Sequence, residues 1–198
     1  MAYTYYKAKT DGTVDVQITS GQVNALFSTL TSQERITGNQ EFEKFWLSSD
    51  ADITSFVGLN SPSPYSSNVF LSANEADAVG DLTGSEVRYG ALAVVSCTAT
   101  ALVLTKNTDY DLVRNGDTVV VAAKAYELNS LVDNGDGTIT VGSAVDFSPV
   151  ATAGAWVTSM LQLNLTTGTP KPFWREELVA AGSAYVAEYA TADILIAD

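Results

Sequence analysis

Glu41-Phe42-Glu43-Lys44-Phe45-Trp46-Leu47 opens the stretch, residues 41–59, whose reading decides the fold. Side chains of a strand alternate between two faces, so Phe42 and Trp46 lie on one side and Phe45 and Leu47 on the other. A run this apolar on both faces belongs inside a sheet rather than at its edge. In the second half Ile53, Ser55, Val57 and Leu59 alternate with Thr54, Phe56 and Gly58. The reading is a hairpin closed through residues 48–52, and it forms the core of a β-sandwich.

On its N-terminal side, residues 13–19 place Val14, Val16 and Ile18 on one face and Asp15, Gln17 and Thr19 on the other, as a half-buried strand does. Ser20-Gly21 ends that strand, and Val23, Leu26, Phe27 and Leu30 then have spacings that fit a turn or two of helix. On the C-terminal side Asn60-Ser61-Pro62-Ser63-Pro64 is a loop, because each proline removes a ladder donor. A short strand at 69–71 and an acidic, exposed connection at 74–85 follow.

From 87 to 145 the texture changes to short β-branched runs between regular turns. Strands are expected at 92–96, 101–105 and 118–122. Two more, at 126–132 and 138–141, flank Asp133-Asn134-Gly135-Asp136-Gly137, the strongest hairpin signal in the chain. Longer extended runs return at 156–165 and 173–179, and a last strand at 192–197 carries Ile194 and Ile196 on one face. The expected fold is all-β: an immunoglobulin-like β-sandwich from residues 1–85 and 148–198, with a small β-barrel domain inserted at 86–147.

The 198 residues are 46% hydrophobic and 17% charged, enough apolar surface for a substantial core. A net charge of −13 repels phosphate backbones and anionic lipid, so neither nucleic acid nor membrane is expected as a partner. No apolar run approaches the roughly 20 residues of a membrane-spanning helix. Cys97 is the single cysteine, which excludes an intrachain disulfide; among its apolar neighbours it reads as a small buried hydrophobe.

The chain has no histidine, which removes the commonest general base and metal ligand, and with them Ser-His-Asp and Cys-His catalysis. Carboxylate pairs remain: Glu41 with Glu43, and Glu176 with Glu177. A glycosidase holds two carboxylates across a cleft; here the reading is solvated strand faces or salt bridges to Lys44 and Arg175. The run 133–137 is oxygen-rich, yet it lacks the later bidentate Glu of a calcium loop, and a glycine-bearing turn explains each of its residues. Asn164-Leu165-Thr166 fits a glycosylation acceptor, which matters only in a secreted eukaryotic protein.

Trp46, Trp156 and Trp174 offer rings for a sugar platform, but Trp46 and Trp174 sit in alternating runs that suit a packed core. Tyr3, Tyr5 and Tyr6 form a tyrosine-rich arm expected to order on a neighbouring subunit rather than on its own domain, since tyrosine buries large area at low entropic cost. The sequence thus leads to no catalytic, cofactor-binding or metal residues and no small-molecule substrate. It leads to interface residues at Tyr3, Tyr5 and Tyr6.

Val23-Asn24-Ala25-Leu26-Phe27 with residues 31–38, then 41–49, then Pro172-Phe173-Trp174-Arg175 followed by Val179-Ala180-Ala181-Gly182-Ser183-Ala184-Tyr185, resemble a family of structural proteins encoded in tailed bacteriophages and prophages. In that family an Asn-Leu-Phe segment precedes a Gly-x-x-x-Tyr-Arg-Lys-aromatic-Phe strand, and a Phe-Trp-x-Arg strand ends in a Pro-Ala-Gly turn. This chain has Phe42-Glu43-Lys44-Phe45 in the first strand and Ala180 at the proline of the turn. Residues 94–144 are similar to small β-barrel modules of phage tail and appendage proteins. The resemblance implies a non-enzymatic virion component, present in multiple symmetric copies in tail, neck or baseplate, with capsid decoration as the near alternative and a module binding host carbohydrate as a further one. Its partners would be other virion proteins and copies of itself. The opening residues lack the charged and apolar regions of a signal peptide, so the chain is expected to be made in the bacterial host cytoplasm and to reside in the virion.

Overall fold

The computed structural model of the chain describes residues 2–18, 31–60, 69–72, 76, 78–182 and 193–197. Its strands in chain order are β1 (Tyr3–Ala8), β2 (Val14–Gln17), β3 (Asn39–Ser49), β4 (Ile53–Asn60), β5 (Val69–Ser72), β6 (Arg88–Cys97), β7 (Leu102–Thr105), β8 (Thr118–Val121), β9 (Lys124–Asp133), β10 (Thr138–Ser143), β11 (Trp156–Leu165), β12 (Lys171–Val179) and β13 (Asp193–Ala197). Among the described residues the helical elements are α1 (Ser32–Thr37) and a 3-10 turn at Val79–Asp81. The protein is nearly all β, as its alternating patterns imply. The helical spacing at 23–30 and the proline segment at 61–68 lie outside the described residues.

The apolar stretch at 41–59 does supply core, but not as a hairpin. β3 has both edges occupied, by β1 with Tyr5 opposite Leu47 and by β12 with Phe173 opposite Phe45. It therefore has no edge left for β4, which pairs instead with β11 and β13. The expected hairpin is corrected to an arch: residues 50–52 carry the chain from one sheet to another. Phe45, Leu47 and Val57, each at 0% exposure, join Leu71, Leu161, Leu163, Leu165 and Phe173 in one cluster. The Phe45 and Phe173 rings lie 5.8 Å apart. Each such fully buried side chain contributes about 1.5–3 kcal/mol.

A second core lies inside a closed barrel of six strands in the order β11-β8-β9-β10-β7-β6, shut by the pairing of β11 back to β6. Alternate residues point inward: Leu92 and Val94, Leu102 and Leu104, Val119 and Val121, Tyr126 and Leu128, Ile139 and Val141, with Val157 from β11. Leu112, Val113 and Phe147 from the connections join the same cluster. The Phe147 ring lies 5.0 Å from Tyr126, whose hydroxyl donates to the Ser148 carbonyl and accepts from the Ser148 N–H. The turn at 133–137 is the β9–β10 connection; Gly135 and Gly137 take φ of 77° and 84°, where a Cβ would be strained. Cys97 is half-buried against the barrel core rather than enclosed by it.

Two strands belong to both cores. β6 begins beside β5, with Arg88 opposite Ser72, and ends in the barrel; β11 begins in the barrel and ends beside β4. The sixth barrel strand thus comes from beyond residue 147. At the point where β6 and β11 part, Ser159 is fully buried, and its Oγ accepts from the Gly90 N–H at 2.9 Å and donates to the Gly90 carbonyl at 3.2 Å. One side chain there satisfies backbone groups that the ladder leaves unpaired.

The helix α1 went unread although its signal was present: Thr31 accepts from the Glu34 N–H, and the Glu34 carboxylate accepts from the Thr31 N–H, a Thr-x-x-Glu capping box. Val16 is 60% exposed, so β2 buries less of its apolar face than its pattern implied.

Between β8 and β9 the two-residue turn Ala122-Ala123 has positive φ at both positions, 48° and 66°. That turn geometry favours Asn-Gly, because a Cβ in the left-handed region costs about 1–2 kcal/mol per residue. Replacing the pair by Asn-Gly (Ala122→Asn with Ala123→Gly) is expected to raise stability by about 1–2 kcal/mol. Thermal unfolding followed by circular dichroism tests this, and an unchanged or lower midpoint contradicts it.

Candidate functional site

The face of the β3–β12–β5–β6 sheet turned away from Phe45 and Phe173 carries a polar row. Lys44 stands opposite Trp174, Trp174 opposite Ser72, and Ser72 opposite Arg88. All four are buried. One step along the strands, Glu176 stands opposite Phe42.

Glu176 gathers the surrounding donors. Its Oε2 accepts from Arg88 Nε at 2.5 Å, and its Oε1 accepts from Gln40 Nε2 at 2.7 Å and from the Tyr110 hydroxyl at 2.9 Å. The Arg88 guanidinium lies 4.0 Å from the centre of the Tyr110 ring, a cation–π contact. Its Nη1 donates to the carbonyls of Glu86 and Gly84, and its Nη2 lies 3.9 Å from the Glu86 carboxylate. Tyr110 lies on the barrel connection between β7 and β8, as does Arg114, which donates to the Arg88 carbonyl and lies 5.5 Å from the Tyr89 ring. These groups join the barrel to the sheet.

Burial, then the bond to the Glu176 carboxylate, pushes the Tyr110 hydroxyl pKa up. Glu86 moves the other way: burial favours its neutral form, but hydrogen bonds from the backbone and hydroxyl of Thr83 outweigh it and hold its carboxyl below the usual range. Beneath this joint lies a cavity of about 10 Å³, lined by Phe42, Ser72, Leu82, Glu86, Arg88, Trp174 and Glu176. The arrangement fixes a buried ion pair beside that small pocket.

The two glutamates that neighbour each other in sequence face opposite ways. Glu177 shares a face with Arg175, with Glu41 directly opposite Glu177 and Glu43 opposite Arg175. Arg175 is 4% exposed, and burial pushes its pKa down to about 10 against the attraction of Glu177. Burial pushes Glu43 up, with Glu41 adding to the shift and Lys7 opposing it. Burial also pushes Glu177 up, with Arg175 opposing and Glu41 and Glu34 adding.

The tyrosine arm is a strand of its own sheet. Tyr3 and Tyr5 pack on the cluster around Phe45, the Tyr3 hydroxyl accepts from Ser55 Oγ at 3.1 Å, and burial raises the Tyr5 hydroxyl pKa. This corrects the expectation that the arm lies off the body of its domain. Tyr6 faces the other side, opposite Trp46 and Gln17. Trp174 is 3% exposed, while Trp46 and Trp156 are half-buried, with Lys44 Nζ 4.9 Å from the Trp46 ring.

Among the described residues no group of three or more His, Cys, Asp or Glu side chains is placed to hold a metal ion, and no helix is long and apolar enough to cross a membrane. Comparison of the chain with protein-family models, with curated proteins and with solved structures finds no match. Sequence reasoning paired Glu176 with its neighbour Glu177 and passed over Arg88, Tyr110 and Gln40. The available signal was a lone arginine at the head of an apolar strand.

Two outcomes are expected. Removing one partner of a buried pair leaves an uncompensated charge, so Arg88→Met or Glu176→Met is expected to cost about 3–5 kcal/mol, and the double variant less than the sum of the two. Denaturant titration of the four species measures the coupling, and strict additivity contradicts it.

The second outcome concerns pH. Raised carboxyl values mean that the folded chain binds protons at Glu43 and Glu177 more readily than the unfolded chain. Their contribution is therefore most favourable at acid pH and is lost as pH rises through the ordinary carboxylate value and on through the raised one. Glu177→Gln mimics the protonated form, so it is expected to raise the unfolding midpoint near pH 7, with the gain shrinking toward about pH 4. A midpoint that is not raised near pH 7 counts against this assignment.

Proposed function

We propose that the chain is a non-enzymatic structural component of a tailed-phage virion. It assembles in multiple symmetric copies in the tail, neck or baseplate, and its partners are other virion proteins and further copies of itself. The resemblance of residues 23–49 and 172–185 to a phage structural family sets the class. The observation that carries the reading is that the barrel connection is bonded to the sheet at the buried Arg88–Glu176 pair, Tyr110 donating to the Glu176 carboxylate and Arg114 to the Arg88 carbonyl. Their role is to hold two β modules at a set angle, which is what a part repeated around a symmetry axis requires.

In the same reading the facing sheets are an immunoglobulin-like sandwich, residues 1–85 and 148–198, and residues 86–147 are inserted in it and close into a barrel by borrowing β11 from the second segment. Two strands running through both parts make the insertion stiff. Tyr6, half-buried on the outer face beside Trp46, is the arm residue best placed for an interface. Capsid decoration rests on the same rigidity. A carbohydrate-binding module is the weaker alternative, because Trp174 is enclosed and cannot stack on a sugar.

The test is to purify tailed particles from a host carrying the gene and count this chain by quantitative mass spectrometry. The expected result is a fixed stoichiometry of several copies per particle, with gene deletion halting assembly at a defined intermediate. Complete, infectious particles formed without the chain would sink the proposal.

A further inference from the structure

Trp174 and Ser72 face each other across β12 and β5, both more than nine-tenths buried. Among the described residues neither Trp174 Nε1 nor Ser72 Oγ has a hydrogen-bond partner. Buried donors of this kind are nearly always satisfied, by protein or by an ordered water. Both residues line the cavity of about 10 Å³ beneath the Arg88–Glu176 pair. That is the volume one water needs.

The chemistry of the wall selects among occupants of that size. An indole N–H only donates, so it opposes a bare cation. The carboxylates of Glu86 and Glu176 oppose an anion. A neutral molecule that accepts from the indole and donates to a carboxylate fits both walls, and Glu176, although it already accepts three hydrogen bonds, has lone-pair capacity for a fourth. We propose that a single structural water occupies this cavity, accepting from Trp174 Nε1–H, bonded to Ser72 Oγ, and donating to the carboxylates of Glu86 and Glu176. It completes the joint between sheet and barrel, and it is independent of where in a particle the chain is used.

The experiment uses the intact chain in solution and in crystals. Rotating-frame cross-peaks between water and the three indole protons are recorded, with Trp174 assigned from Trp174→Phe or, if that variant does not fold, by elimination with Trp46→Phe and Trp156→Phe. A cross-peak at the Trp174 indole with the sign of a long-lived water is expected. It is expected to persist in Ser72→Ala, where no Ser72 hydroxyl is left to relay it. A crystal structure is expected to show a density peak within hydrogen-bond reach of Nε1. Loss of the cross-peak in either protein, or direct bonding of Nε1 to a protein atom, overturns the proposal. Anomalous signal at the site after rubidium exchange overturns it in favour of a monovalent cation.

Discussion

A guanidinium and a carboxylate taken out of water together set the terms for the rest of this molecule. Withdrawing the charges of Arg88 and Glu176 costs several kcal/mol each, and only close geometry with further hydrogen bonds offsets that cost. Gln40 supplies one such bond from β3 and Tyr110 another from the barrel connection, while the Glu86 and Gly84 carbonyls occupy Arg88 Nη1. Sheet, barrel and the connection at 84–88 are therefore tied to one another through the same few atoms. None can shift without exposing a charge to an unmatched environment.

The same mutual dependence is built into the backbone. β6 and β11 each run from one core into the other, so the ladder that closes the barrel is continuous with ladders of the larger assembly. Ser159 secures the point of divergence. Packing then follows from alternation: Phe45 and Phe173 fill one side of a sheet whose other side is free to carry Lys44, Trp174, Ser72 and Arg88.

Period-two patterning made most of the strands legible, because alternation is a local property that sequence records directly. The strands at 118–121 and 156–165 and the turn at 133–137 lie where alternation and turn chemistry place them, with Ala122 passing into the β8–β9 turn. What alternation does not record is the partner. Phe45 and Leu47 announce a strand buried on both faces, yet nothing local tells that β1 and β12, rather than β4, occupy its edges. The joint is hidden for the same reason: Arg88, Tyr110 and Glu176 are far apart in the chain and meet only through the fold. Tyr3 and Tyr5 pack on their own core because tyrosine is as well suited to the rim of a core as to a wet interface, and composition does not distinguish the two.

The order of strands has two ends, β2 and β13, and closure of the barrel leaves its six members with neighbours on both sides. Among the described residues these two terminal strands are short and dissimilar borders, each with a neighbour on one side. A contact made from one border to the other is heterologous, repeating with the same handedness each time. A second copy paired across those borders would extend the sheet into a closed ring or a continuing helix, according to the angle between them.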